Sequence, residues 1–229
     1  MASITPDIGT RPLRRDAERN RQRILEAARE VFAERGIAAT LDDVAIRAGV
    51  GVGTVYRRFP DKEALLSAVF LDVLDRLAAH AEEALAGVSG WDGLTLFLRR
   101  CSEMQACDRG LRDVALASGY GTHELDAVRE RLVPLIEQLV ARAQAEGKLR
   151  PDVRETDIPM LLFMVTEVAH HCGAARPGLH NRYLQLIIDG LRAPGTGDLG
   201  TPLDYADLEI FGNSLAPGRA RRSPARGTP

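Results

Sequence analysis

The stretch at residues 40–62, TLDDVAIRAGVGVGTVYRRFPDK, leaves this chain the least conformational freedom. It predicts two short helices joined by a tight turn, followed by a basic and aromatic run that opens a third helix. Ala45 is the small residue where the two helices cross. Gly49 lies four positions later, where the turn needs positive φ, and Val55 comes six after that, facing the core. Glycine takes that left-handed conformation without the Cβ penalty of other residues. A larger side chain at 45 would push the second helix away. This spacing is the demand of a helix-turn-helix, and it points to DNA.

Around this motif the pattern is helical throughout. Ile24, Ala27, Ala28, Val31 and Phe32 fall on one face of a helix expected from Asp16 to its stop at Gly36. Thr40 is the expected N-cap of the next helix, with Asp43 completing an approximate capping box and Leu41, Val44, Ala45 and Ala48 as the apolar face. Pro60 stops the third helix and Asp61 caps a long fourth one, reaching to about residue 87. Further helices are expected near 92–107, 110–118, 122–146, 156–175 and 178–192, with a kink at Pro134. No alternating strand pattern occurs, so the fold class is all-α. The expected organisation is a flexible basic arm (1–13), a three-helix DNA-binding domain (14–60), a helical ligand-binding and dimerisation domain (61–192) and a loosely ordered Pro/Gly-rich tail (193–229).

Charge is distributed unevenly. Residues 11–62 carry twelve Lys and Arg against eight Asp and Glu, a net +4, whereas residues 63–192 are net −5, within a chain whose total is −2. Such polarity orients a protein on a polyanion. No N-terminal cationic and apolar leader and no bilayer-length apolar run is present, so membrane insertion and secretion are not expected. Cys101, Cys107 and Cys172 are odd in number and lack paired spacing, which suits a reducing cytoplasm.

Three segments, RILEAAREVFAERG, TLDDVAIRAGV and GTVYRRFPDKEAL, carry a resemblance of residues 14–62 to the DNA-binding domain of the TetR (tetracycline-repressor-like) family of bacterial transcription regulators. The remaining helices resemble that family's ligand-binding and dimerisation domain in number and length. Gly51 stands where many members have serine, and Val52 where many are polar or basic, so no operator sequence carries over.

The expected DNA contacts follow from residue chemistry. Thr40 can cap its helix and also offer a hydroxyl and N–H groups to a phosphate. Val52, Gly53 and Thr54 open the recognition helix, Thr54 as a hydrogen-bonding group and Val52 as an apolar contact. Tyr56 faces away from the Val55 and Phe59 stripe and can reach a phosphate. Arg57 and Arg58 divide between backbone and base edges. Lys62, poorly placed against its helix dipole, would be relieved by a phosphate, the role the resemblance also implies. Arg14 and Arg15 either enter a minor groove, lie on the backbone or are simply solvated.

A single reading helix binds weakly, so a homodimer on a palindromic operator is expected. Its candidate interface is the last helix pair, through Leu161, Val165, Val168, Leu184, Ile187, Ile188 and Leu191, against the alternative of an ordinary monomeric core. Candidate walls for a small, largely hydrophobic inducer are Trp91, Phe97, Cys101, Met104, Leu116, Tyr120, His123, Leu139, Phe163, Met164 and Glu167, each of which can equally be plain core. No cofactor is called for. Glu167 and His170 form only half of a di-iron carboxylate motif, which argues against an enzyme. The run His170, His171, Cys172 diverges around a helix and makes a poor metal sensor. The reading is a repressor released by a ligand; a ligand-independent or architectural DNA-binding protein is the alternative, with a metal-responsive regulator behind it.

Overall fold

A computed structural model describes residues 10–107, 122–172, 175–195, 197–208 and 210, with the side chains at 10–15, 37, 106–107, 122–125 and 129 outside the description. Its helices are α1 (Thr10–Arg35), α2 (Leu41–Ala48), α3 (Val52–Arg58), α4 (Lys62–Leu85), α5 (Gly90–Cys107), α6 (Thr122–Arg131), α7 (Val133–Ala145), α8 (Asp157–Cys172) and α9 (Leu179–Gly190). Among the described residues there is no strand, only an isolated bridge between Leu149 and Arg192. The all-α reading therefore stands. Two boundaries differ from expectation. Helix α1 starts at Thr10, inside the expected arm, because Pro12 falls in its first turn, where a missing N–H costs no hydrogen bond. The helix expected across 122–146 is two helices: Pro134 offers no N–H and crowds the carbonyl four residues back, so the chain turns at Leu132 and restarts with Pro134 in the first turn of α7.

The apolar stripes build two cores that share one helix. Ile24, Leu25, Ala28, Val31 and Phe32 of α1 close over Val44 and Ala45 of α2, Val55 of α3, and Leu65, Leu66 and Val69 of α4. From Leu74 onward α4 joins a second core with α5, α7, α8 and α9. The expected domain boundary at 60/61 thus falls before three residues that belong to the first core. The handover lies at residues 70–73, where Arg29 of α1 donates to Asp72 of α4 at 2.8 Å. Their side chains are only 8% and 11% exposed, and Arg76 adds a second contact to Asp72 at 3.2 Å. Helix α5 lies at the centre of the second core, packed by α4, α7, α8 and α9.

The end of this core far from α1 is closed tightly. A Cβ on Gly90 would lie 2.5 Å from the Arg142 carbonyl carbon, and one on Gly93 would lie 2.6 Å from the Ala84 oxygen, so only glycine lets α5 approach α7 and α4 there. The Glu146 carboxylate accepts the Gly90 and Trp91 N–H groups, together with the Ser89 hydroxyl. Those backbone donors hold its pKa down at about 2. Arg142 donates to the Leu85 and Gly87 carbonyls, satisfying the end of α4.

The tail expected to be loose begins as a strap against this end. Ala193 N–H donates to Lys148 O at 2.9 Å, and the Arg150 fork holds both Asp152 oxygens at 2.7 Å while donating to the Gly197 carbonyl. Tyr205 donates towards Glu137 and Glu155, at 3.3 and 3.4 Å. The buried Arg150 guanidinium and the Tyr205 phenol, partners a composition count does not show, hold the described residues of 193–208 to this end; residues 211–229 lie outside the described residues.

Candidate nucleic-acid interface

Local chemistry positions α2 and α3. Thr40 is the N-cap of α2, accepting from Asp43 N–H at 3.2 Å while Asp43 accepts from Thr40 N–H at 3.0 Å, a complete capping box. The Thr40 hydroxyl, followed by its N–H and by Arg35, holds the Asp43 carboxyl below the usual carboxylate range. At the other end Gly49 has φ 64° and ψ 38°, and Val50 N–H reaches back to Ala45 O at 3.1 Å. Arg23 of α1 donates to Ala48 O at 2.7 Å, so the last carbonyls of α2 also have a partner on α1. Val55 and Phe59 are buried, which fixes the inner face of α3. Its outer face therefore carries Val52, Gly53, Tyr56, Arg57 and Arg58, all exposed, with Thr54 half-buried.

The excess of positive charge is narrower than the sequence count implies. Arg19, Arg21, Arg29, Arg35 and Arg47 each hold a carboxylate, Arg47 bridging Glu30 and Glu34 of α1 at 2.9 and 2.6 Å. The Arg47 bonds lower the Glu34 pKa and raise that of Arg47. Lys62 packs with its Nζ 5.7 Å from the centre of the Phe32 ring. Among the described residues of this domain, Arg57 and Arg58 are the cations that meet solvent without a carboxylate, carbonyl or ring partner. Positive potential is thus concentrated at the end of α3, beside the Tyr56 phenol. Arg14 and Arg15 belong to α1, with side chains outside the description.

Residues 24–69 match the family model for bacterial regulatory proteins of the tetR family, and residues 91–193 match that for the SbtR-like transcriptional regulator C-terminal domain. A TetR transcription regulatory protein from Mycobacterium vanbaalenii is 37% identical, over 80% of this chain and 100% of its own, with a TM-score of 0.59. The TetR transcriptional regulator SCO0520 from Streptomyces coelicolor is 32% identical, over 76% of this chain and 99% of its own, with the same TM-score of 0.59. The chain belongs to the TetR family. The HTH-type transcriptional regulator UidR of Escherichia coli (strain K12) is 28% identical over 156 residues, 66% of this chain and 80% of that protein. The TetR-family assignment makes it a DNA-binding transcription regulator and accounts for the first core, whose matched segment ends at Val69, where that core ends on α4.

In this TetR-family fold the expected ligand residues separate into groups. Trp91, Phe97, Cys101 and Leu139 are buried in the second core, and burial pushes the Cys101 thiol pKa up. Met104, Phe163 and Glu167 are half-buried, while Met164 is exposed and lines no interior. Trp91 lies under the Arg192 guanidinium, 4.8 Å away, and sits roughly 20 Å along α5 from Met104, so one compact molecule cannot touch both. Leu116 and Tyr120 lie outside the described residues, and His123 is on α6 with its side chain undescribed.

The expected dimer residues divide between the inside and the outside of the fold. Val165, Leu184, Ile188 and Leu191 are buried in their own subunit's core, and Leu161 and Ile187 pack against it. The apolar side chains that α8 and α9 turn outward are Met164, Tyr183 and Leu186, with Val168 half-buried. Two features escaped the sequence reading. Ile46, 77% exposed, falls off the 41/44/45/48 stripe of α2, which was a readable signal. The contact from Arg23 to Ala48 O joins residues 25 positions apart and left no such mark. Among the described residues no helix is long and apolar enough to cross a membrane, and no group of three or more His, Cys, Asp or Glu comes together as a metal site.

Proposed function

We propose that this chain is a cytoplasmic, homodimeric repressor that lays α3 of each copy in the major groove of a palindromic operator and leaves it when a small, largely hydrophobic ligand enters the second core. The observation that carries the reading is the division of α3. Its inner face is locked by Val55 and Phe59, and its outer face presents Tyr56, Arg57 and Arg58 with no partner among the described residues. Val52 supplies an apolar contact such as a thymine methyl, Thr54 a hydrogen bond, and Gly53 a bare backbone with nothing within 4 Å of its would-be Cβ. Tyr56, Lys62 and the Thr40 end of α2 serve phosphates, Lys62 by leaving the Phe32 ring; Arg14 and Arg15 add contacts beside them.

The outward stripe of Met164, Tyr183 and Leu186 supports pairing of α8 and α9 with their copies in a four-helix bundle. The continuity of α4 through both cores supports coupling: what displaces α5 displaces the helix that carries the reading head. The test is selection of binding sites from random duplexes, followed by affinity measurement with Tyr56→Phe and Lys62→Ala together. The expected result is an inverted repeat, bound at least tenfold more weakly by the variant. Unchanged affinity in a folded variant refutes the assignment.

A further inference from the structure

Among the described residues, Ser102 and His180 are two of the polar side chains buried without a hydrogen-bond partner. Ser102 of α5 is 2% exposed and His180 of α9 is 9% exposed, yet Ser102 Oγ and His180 Nε2 are buried with no hydrogen-bond partner. A helical hydroxyl has an easy local solution, and Thr166 takes it, lying 2.8 Å from Leu162 O four residues back. Ser102 does not do the same with Leu98. Leaving a buried donor or acceptor unmet is the costly side of hydrogen-bond energetics, so the missing partner is expected to come from outside the chain.

The helix register brings the two groups together. Arg99, Ser102 and Gln105 lie three apart on one stripe of α5; Arg99 meets Gln185 of α9, and Gln105 meets Thr166 of α8. Ser102, between them, faces the groove where α8 and α9 meet. Helices α5 and α9 are antiparallel, since Arg99 meets Gln185 while Trp91 meets Arg192. Counting on from the first pair places His180 level with Ser102 to within roughly 3 Å along the axis. His180 shares the inward stripe of Leu184 and Ile188, so it points into the same groove.

The surroundings select the ligand's chemistry. Among the described residues the buried arginines are Arg29, held by Asp72, and Arg150, held by Asp152 at the far end; neither serves this groove. Half-buried Glu167 follows Thr166 directly, which disfavours an anion, and the cation nearest along the stripe, Arg99, is exposed and already donates to Gln185. The rest of the core beside Ser102 is apolar, with Phe97, Leu98 and Cys101 all buried. We infer that Ser102 and His180 form a subsite for the single neutral oxygen group, a hydroxyl or carbonyl, of an otherwise apolar ligand whose body runs along α5 past Leu98. This deepens the ligand-released reading and rests on it.

The experiment uses the full-length protein with 1-decanol and decanoate as chain-matched probes, followed by calorimetry and by the fluorescence of the single tryptophan, Trp91. The expected result is that 1-decanol binds at least tenfold more tightly than decanoate. Ser102→Ala should cut the 1-decanol affinity about tenfold while raising the melting temperature of the ligand-free protein, because an unmet hydroxyl is gone; His180→Phe should cut the affinity likewise. Equal binding of both probes, no binding of 1-decanol, or 1-decanol binding indifferent to Ser102→Ala overturns the subsite. The last result, with the melting temperature raised, would mean that the groove holds only water. Operator release is scored separately. Protein that holds 1-decanol through Ser102 yet keeps its operator leaves the subsite standing and removes ligand release. Release by another compound, unaffected by Ser102→Ala, does the opposite.

Discussion

Replacing Asp72 with alanine removes the carboxylate that holds Arg29 at the handover between the two cores. Breaking a buried pair by deleting one partner costs about 3–5 kcal/mol, and the slight exposure of both side chains, 8% and 11%, places Asp72→Ala near the lower figure, about 3 kcal/mol. The reverse deletion is milder. In Arg29→Met the Asp72 carboxylate keeps Arg76 at 3.2 Å, and the methionine fills most of the vacated volume, so the loss should be about 1 kcal/mol. Replacing both residues with apolar ones, Arg29→Met with Asp72→Ala, should bring the loss back to about 1 kcal/mol, giving a coupling energy of about 3 kcal/mol. The assay is denaturant unfolding followed by far-ultraviolet circular dichroism at one fixed protein concentration, since a dimer's midpoint depends on it. If Arg29→Met proves as damaging as Asp72→Ala, Arg76 is not sharing the carboxylate and the reasoning is wrong.

Arg57→Ala and Arg58→Ala should each flatten the salt dependence of operator binding, a lost phosphate contact lowering the logarithmic slope by about 0.9; titrations at several salt concentrations would show an unchanged slope if the arginine reads only bases. Glu146 is stabilised as a carboxylate by the Gly90 and Trp91 N–H groups, its pKa held at about 2 against an ordinary 4.5. Its contribution is complete above the ordinary value and disappears as pH falls from there towards 2. The stability lead of the wild type over Glu146→Gln should therefore be widest at pH 7 and narrow by pH 3, and a constant lead would contradict the assignment. Met164→Asp and Leu186→Asp should yield folded monomers by analytical ultracentrifugation, whereas Val165→Asp should fail to fold; a dimer surviving both outward substitutions would rule out this face. Native Cys101 should resist a thiol reagent that modifies half-buried Cys172, and equal rates would contradict its burial.

What the sequence disclosed was local. The Thr40 and Asp43 box, the left-handed Gly49 and the buried Val55 depend on spacings of three to six residues, and steric rules act at that range. Contacts between distant segments left no periodic trace: Arg29 reaches Asp72 across 43 positions and Arg150 reaches Gly197 across 47. Helices α8 and α9 were ambiguous for a different reason. They are apolar on two faces, and hydropathy cannot tell the face that meets its own subunit, with Val165 and Leu184, from the one turned outward, with Met164 and Leu186. Pro134 announced a disturbance, but whether a proline bends a helix or ends it depends on what the flanking turns pack against.

The tight meeting of Gly90 with α7 and of Gly93 with α4 makes that corner of the molecule a fulcrum. Helix α4 cannot slide there without driving backbone into backbone, so whatever displaces its middle must swing its opposite tip. Over a rod of roughly 36 Å, a tilt of about 5° carries Lys62 and the adjoining α3 some ~3 Å, close to the ~3.4 Å step between stacked base pairs. In the proposed dimer, such a small adjustment is large enough to put the two reading rods out of step with their half-sites.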